Sequence, residues 1–209
     1  MYTRYALYFT PPPGPFAQAG EAWLTQDIAK RPRRYGFHAT LKAPFRLAEG
    51  ATEDALRAAV AGFCAQTPPV MIDGLEVTQT GRFLSLTPVG ETDALDLFAA
   101  QVVAHFDPFR APLTGAETTR RRGKGLPEAA EARLQRWGYP HVMEAFAFHM
   151  TLTGPQPKDD RAEIAEAARR WFAPSLPCPF PLDAVTLCGE DSAGRFQALT
   201  RIQLSGPAH

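Results

Sequence analysis

A gapless internal repeat constrains the fold of this 209-residue chain more than any other feature. The pattern Phe-His-x-Thr-Leu-x-x-Pro occurs twice, over residues 37–44 and again over residues 148–155. A Gly-Arg-Phe triplet follows each copy at nearly the same distance, beginning at Gly81 and at Gly194. Self-similarity of this extent predicts two copies of one structural unit.

The segments around the two motifs also correspond. Apolar residues at helical spacing predict a helix over residues 52–66, with Thr52 as its N-cap, and a second helix over residues 159–172. Prolines follow both helices and end them, because proline cannot continue a helix interior. Before the motifs, residues 5–9 and 83–88 have the pattern of strands, and residues 16–30 and 93–106 that of helices.

These elements predict an α+β fold made of duplicated β-α-β-α-β lobes, related by a pseudo-twofold axis around a central cleft. We expect one bilobal domain over residues 1–209, with the first motif in residues 1–81 and the second in residues 82–209. The second lobe contains an insertion at about residues 107–138. It includes a basic run, Arg120–Lys124, interpreted as an exposed loop, with a mobile flap over a phosphate as the alternative.

The repeated His-x-Thr is the candidate site. Side chains alternate along a strand, so His38 and Thr40 point to one face and Phe37 to the other. His149 and Thr151 have the same relation in the second copy. Packing of the two lobes about the pseudo-twofold axis would bring two imidazoles and two hydroxyls together across the cleft.

This set of groups suits phosphoester chemistry. Histidine titrates near neutral pH, so one imidazole can accept a proton while the other donates one to a leaving oxygen. Threonine hydroxyls can hydrogen-bond the non-bridging phosphate oxygens. We therefore predict His38 and His149 as catalytic residues and Thr40 and Thr151 as phosphate-binding residues, without a metal or another cofactor. The residues alone do not decide which histidine is the base.

The paired motifs resemble the two-histidine (2H) phosphoesterase superfamily. Residues 4–9, 34–45, 137–140 and 148–154 are similar to the DUF1045 family, which is associated with phosphonate metabolism. The resemblance implies a bilobal fold with the four His and Thr side chains at its centre. It also implies hydrolysis of a cyclic phosphodiester of a small sugar or nucleotide, with ribose 1,2-cyclic phosphate as a substrate suggested by the family context.

Four further residues are candidate substrate contacts. Lys42 shares the predicted strand face of His38 and Thr40, although its counterpart in the repeat is a threonine. Arg34 precedes the first motif, and a guanidinium suits phosphate recognition. Tyr35 and Tyr139 lie near the two motif strands and could stack on a base or hydrogen-bond a phosphate.

The composition limits the kinds of molecule that the protein is expected to bind. Lys+Arg and Asp+Glu both number 22, so phosphate affinity must come from a local site and not from a global positive field. No stretch approaches the roughly 20 apolar residues of a membrane span, and the three cysteines lack metal-site spacing. We expect a cytoplasmic protein with a small-molecule phosphodiester as its partner.

Two alternatives remain open. The first keeps the chemistry but acts on RNA ends that carry a 2′,3′-cyclic phosphate, which would require a basic, aromatic groove beyond the cleft. The second is a binding module for RNA or a phosphorylated ligand that has no catalytic activity.

Overall fold

The computed structural model describes residues 2–207, so Met1, Ala208 and His209 lie outside the described part. The strands are β1 Tyr5–Phe9, β2 Ala39–Phe45, β3 Val70–Ile72, β4 Gly74–Thr80, β5 Phe83–Val89, β6 Met150–Thr151, β7 Phe180–Leu182, β8 Ala184–Glu190 and β9 Phe196–Gln203. The α-helices are α1 Pro15–Leu24, α2 Lys30–Arg33, α3 Glu53–Gln66, α4 Asp93–His105, α5 Gly115–Arg122, α6 Glu128–Trp137 and α7 Arg161–Phe172.

Seven of the strands form one sheet in the order β4-β5-β6-β2-β1-β8-β9, with every neighbouring pair antiparallel. The two motif strands, β2 and β6, are neighbours near its middle. The strands β1 and β5 flank these two motif strands at equivalent positions. The next strands outward, β8 and β4, are likewise equivalent. This is the pseudo-twofold arrangement that the repeat predicts, and β3 and β7 pair separately as a second, small sheet.

Each half of the large sheet takes strands from both parts of the chain. The half with β2 and β1 is completed by β8 and β9, whereas the half with β6 and β5 is completed by β4. The chain therefore crosses between the halves after α3 and again after α7. The predicted division of the chain into residues 1–81 and 82–209 remains a prediction about the sequence repeat, because the sheet contains strands from both segments in each half.

The helices after the motifs form where the sequence predicts them. The Thr52 side chain accepts a hydrogen bond from Ala55 N at 3.1 Å and caps α3. The α3 helix packs on β8 and β9, and α7 packs on β4. Buried side chains from the strands and helices form one large apolar core.

Two predicted elements differ from the structure. The helix expected over residues 16–30 ends at Leu24, where Arg33 donates to the carbonyls of Leu24, Thr25 and Gln26 and satisfies groups that a helix end leaves free. The basic run expected in a loop forms the end of α5, because Thr114 and Glu117 make a capping box that starts a helix there.

The three cysteines Cys64, Cys178 and Cys188 are free thiols. Within residues 2–207, no helix combines the length and the apolar character that a membrane span requires.

Two glycine substitutions test the packing that positions the first motif. Gly20 on α1 lies against Phe37, and a Cβ there would stand 2.0 Å from the phenyl ring. We expect Gly20→Ala to lower the free energy of unfolding by about 1–3 kcal/mol through overpacking. The control Gly62→Ala lies in α3, where a Cβ meets no atom within 4 Å, and should raise stability by about 0.5–1 kcal/mol. Denaturant titration measures both, and a Gly20→Ala protein as stable as the parent would contradict this account.

Candidate active site

The pairing register of β2 and β6 assembles the four motif side chains. Ala39 lies opposite Met150, and in an antiparallel pair this places His38 beside Thr151 and Thr40 beside His149. Residues two apart share a face, so all four side chains lie on one side of the sheet. They line a cleft of about 550 Å³, as the sequence predicts. The other lining residues are Arg31, Pro32, Tyr35, Leu41, Ala43, Thr80, Phe83, Ser85, Tyr139, His141, Val142, Ala145, Phe146, Ala147 and Thr153.

Both imidazoles are held by the same backbone interaction. The Nδ1 of His38 is 2.9 Å from the carbonyl oxygen of Gly36, and the Nδ1 of His149 is 2.8 Å from that of Ala147. A carbonyl oxygen only accepts, so Nδ1 carries the proton in both rings. In a neutral ring, this tautomer leaves the lone pair on Nε2.

His38 has the more enclosed surroundings of the two histidines. Its Nε2 is 3.2 Å from the Thr40 hydroxyl, which donates to it in this tautomer, and its ring centroid is 4.1 Å from that of the buried Tyr8. The pKa of His38 is lowered to about 4, mainly by burial and also by the nearby His149, although the hydrogen bond to the Gly36 carbonyl opposes the shift. His38 is therefore neutral at neutral pH.

His149 is exposed, and Thr151, the threonine of the same motif, is half-buried. A residue that the sequence analysis did not identify, Ser85, adds another hydroxyl group beside Thr151. Ser85 on β5 pairs with Thr151, just as Tyr8 on β1 pairs with Thr40. Its side chain lines the cleft although the residue is only 2% exposed. A polar residue between the buried Leu84 and Leu86 was the available sequence signal.

Both predicted tyrosines line the cleft. The Tyr35 ring stacks on Phe196 at 5.5 Å and lies 5.9 Å from the His38 ring. The Tyr139 ring lies under the guanidinium of Arg121, at 5.0 Å. Burial raises the pKa of Tyr139, so its hydroxyl stays protonated at neutral pH.

Lys42 does not lie in the cleft, contrary to the sequence prediction. Thr40 pairs with Tyr8 and Lys42 with the adjacent Leu7, so β2 advances two residues where β1 advances one. This bulge turns Lys42 to the opposite face, where it is 3% exposed. There its Nζ donates to Val103 O at 3.0 Å and pairs with Asp107 at 3.3 Å.

Arg34 is also directed away from the cleft. Its Nη2 lies 3.8 Å from the buried carboxylate of Glu190, which also binds Arg4, and its guanidinium covers the outer side of Tyr35. The cation that lines the cleft is Arg31, three residues earlier, with its guanidinium 5.7 Å from the Phe83 ring.

The basic run divides into side chains with different surroundings. Arg122 is exposed and pairs with Glu131 on α6, and Arg120 and Lys124 are exposed. Arg121 is half-buried, and its Nη2 donates to Pro44 O at 3.0 Å. Within residues 2–207, no three His, Cys, Asp or Glu side chains are grouped as metal ligands.

Comparison with known proteins shows which family and which relatives the chain is similar to. A family model described as "Protein of unknown function (DUF1045)" matches residues 40–197. The chain is 39% identical to ribose 1,5-bisphosphate phosphokinase PhnN of Janthinobacterium sp. (strain Marseille), over 98% of this chain and 51% of that protein. It is 34% identical to the protein of the same name from Laribacter hongkongensis (strain HLHK9), over 95% of this chain and 51% of that protein. The chain thus spans about half the length of the curated relatives it matches.

The fold has counterparts among solved structures. E. coli LigT complexed with 3′-AMP superposes on this chain with a TM-score of 0.53, at 13% identity, over 98% of this chain and 99% of that one. The similarity confirms the predicted α+β fold.

The lowered pKa of the partly buried His38 makes stability depend on pH. The pKa of His38 is about 4 in the folded chain and about 6.5 when unfolded, so the unfolded chain binds more protons between these values. The free energy of unfolding should therefore fall as the pH drops from 7 to 5, by up to about 2 kcal/mol from this residue. A His38→Gln variant should lose correspondingly less over the same range in denaturant titrations. Equal losses in the variant and the parent would refute the lowered pKa.

Proposed function

The chain belongs to the DUF1045 family, and on this premise we propose that it is a phosphodiesterase that hydrolyses a cyclic phosphodiester of a small sugar or nucleotide. The observation that carries the proposal is the pair of imidazoles, each with Nδ1 bound to the carbonyl two residues earlier and each beside a threonine of the facing strand. Such a pair can supply one base and one acid to a phosphorus centre between them.

The difference in burial between the histidines supports an assignment of roles. His38 is neutral at neutral pH, so its Nε2 can accept a proton from an attacking water. His149 is exposed, and we assign it as the acid whose Nε2 donates a proton to the leaving sugar oxygen. The water oxygen bonds to phosphorus, the ring P–O bond breaks, and a phosphomonoester with a free hydroxyl results. Proton exchange with solvent restores both rings.

The threonines support the same reaction. Thr40 and Thr151 stand on the cleft face between the imidazoles, where a phosphate bridging the two Nε2 atoms would place its non-bridging oxygens. Hydrogen bonds from hydroxyl groups to these oxygens stabilise the charge that develops on them. Thr40 makes such a bond when its hydroxyl turns from His38 Nε2 to the phosphate, which also frees that nitrogen to accept the proton of the water. The buried hydroxyl of Ser85 is placed to hold Thr151 or to extend this set.

We propose ribose 1,2-cyclic phosphate as the substrate class. Two curated relatives are named for a ribose bisphosphate, and this chain matches about half of their length. That relation supports a ribose phosphate as the sugar and phosphonate metabolism as the context. We further propose that the reaction needs no metal and takes place in the cytoplasm, a compartment in which free cysteines persist.

A substrate screen with histidine variants tests the proposal. The purified chain should hydrolyse ribose 1,2-cyclic phosphate with and without EDTA, and faster than nucleoside 2′,3′-cyclic or linear phosphodiesters. His38→Ala and His149→Ala should each lower kcat/KM by about 10²–10⁴-fold. His105→Ala is the matched control, because His105 packs against Phe63 and Phe106 outside the cleft. Full activity in either of the first two variants would exclude the acid–base pair. Preference for the nucleoside substrate would favour RNA ends, and saturable binding without product would favour a binding module.

The pH profile tests the assignment of the base. A base with a pKa near 4 is still almost wholly neutral at pH 5.5, whereas an unperturbed histidine would be neutral in only about one molecule in ten. We expect kcat/KM to keep its acid-side plateau from pH 6.5 down to pH 5.5. A decrease of about fivefold over that interval, the change expected of a base with an unperturbed histidine pKa, would show that the base does not have the lowered pKa of His38.

A further inference from the structure

The two halves of the sheet differ at one pair of equivalent positions beside the motif residues. Tyr8 on β1 pairs with Thr40, and Ser85 on β5 pairs with Thr151. The pseudo-twofold relation between β1 and β5 therefore makes Tyr8 and Ser85 counterparts. Cross-strand partners share a face of the sheet, so both side chains lie on the same face as the motif histidines and threonines.

Tyr8 fills the place beside His38. Its ring centroid is 4.1 Å from that of the His38 imidazole and 5.8 Å from that of the Phe196 ring, and the residue is only 1% exposed. None of the β1 residues Tyr5–Phe9 lines the cleft. An aromatic ring thus covers the side of the phosphate site that lies next to His38.

The corresponding place beside His149 is open, because the aromatic residue of β5 is shifted by two positions. Where β1 has Ala6 and Tyr8, β5 has Phe83 and Ser85. A strand advances by about 3.4 Å per residue, so the ring of β5 is attached about 7 Å further along its strand than the ring of β1. Phe83 and Ser85 both line the cleft. The cleft therefore extends over β5, with a small side chain at the place of the tyrosine and a phenyl ring beyond it.

Hydrolysis of a cyclic phosphodiester requires an asymmetric site of this kind. Both ester oxygens of the cyclic phosphate belong to one sugar, and the attacking and leaving oxygens are roughly in line through phosphorus. The sugar therefore lies on the side of the acid, and the side of the base has to admit only water. With His38 as the base and His149 as the acid, the open side over β5 is the side that has to hold the sugar.

We propose that Ser85 determines the orientation of the substrate, because it leaves open the space that Tyr8 fills in the other half and so admits the sugar beside His149. This inference rests on the proposed function and adds a specificity-determining residue to it. The ligand for this space is the furanose ring of the phosphodiester, whose C–H groups pack on the half-buried ring of Phe83.

Binding measurements with and without the sugar test this subsite and need no turnover. Calorimetry compares ribose 2-phosphate with inorganic phosphate. The parent should bind ribose 2-phosphate roughly tenfold more tightly, because the sugar adds apolar contacts to those of the phosphate. Ser85→Tyr, which repeats the arrangement of Tyr8, should reduce this ratio of affinities to about one and still bind inorganic phosphate. The matched control Ser85→Ala preserves the space and should keep the ratio within about threefold of that of the parent.

Three results would overturn the subsite. They are equal affinity of the parent for the two ligands, a ratio that survives in Ser85→Tyr, and a ratio that is lost in Ser85→Ala as fully as in Ser85→Tyr. If Ser85→Tyr does not fold or no longer binds phosphate, Phe83→Ala decides instead, because it removes the ring on which the sugar packs. It should lose the preference for ribose 2-phosphate, and a retained preference would overturn the subsite.

The same measurements separate this inference from the proposed function. A sugar preference that depends on Ser85 in a protein without hydrolysis would keep the subsite and reject the proposed reaction. Hydrolysis of the cyclic phosphodiester by a protein whose sugar preference is unchanged in Ser85→Tyr would reject the subsite and keep the reaction.

NMR tests the orientation itself. Nuclear Overhauser effects from the sugar protons of bound ribose 2-phosphate should reach the ring protons of Phe83, which Phe83→Leu assigns. The ring of Tyr35 lies 5.9 Å from that of His38, on the side of the base. Effects to Tyr35 in place of Phe83 would put the sugar on that side and overturn the proposal.

Discussion

The register between β2 and β6 is the constraint on which the site depends. Ala39 opposite Met150 is a single backbone pairing, yet it sets His38 beside Thr151 and Thr40 beside His149 on one face. A slip of one residue would turn one motif towards the core and separate the imidazoles. The rest of the sheet fixes this register, because β1 and β5 hold the outer edges of the two motif strands and the apolar residues between the motif residues are buried.

Symmetry in the backbone coexists with asymmetry in the surroundings. The carbonyls of Gly36 and Ala147 hold the two imidazoles in the same tautomer. Enclosure by neighbours such as Tyr8 then lowers the pKa of His38, whereas His149 stays exposed. Repetition supplies two equivalent groups, and burial keeps one of them neutral at neutral pH.

The sequence repeat was sufficient to predict the fold class, the capped helix after the first motif, and the cleft with its four His and Thr side chains. It could not predict the position of Lys42, because a bulge in the pairing of β2 with β1 reverses the strand face. Nor could it predict the position of the Arg34 side chain, because its guanidinium pairs with Glu190, a residue distant in sequence. The crossing of β4 and β8 between the halves of the sheet is likewise a matter of long-range pairing. The helix α5 could have been predicted, because Thr114 and Glu117 have the residue types and the spacing of a capping box.

The proposed catalysis requires both imidazoles to be held as the Nδ1–H tautomer and His38 to be neutral at neutral pH. Nitrogen-15 NMR of the histidine rings between pH 3.5 and 8 tests it directly, with His38→Gln and His149→Gln to assign the signals. We expect a His38 ring with a protonated Nδ1, an unprotonated Nε2 and a midpoint near pH 4. A His38 midpoint near 6.5, or a ring that carries its neutral-state proton on Nε2, would contradict it.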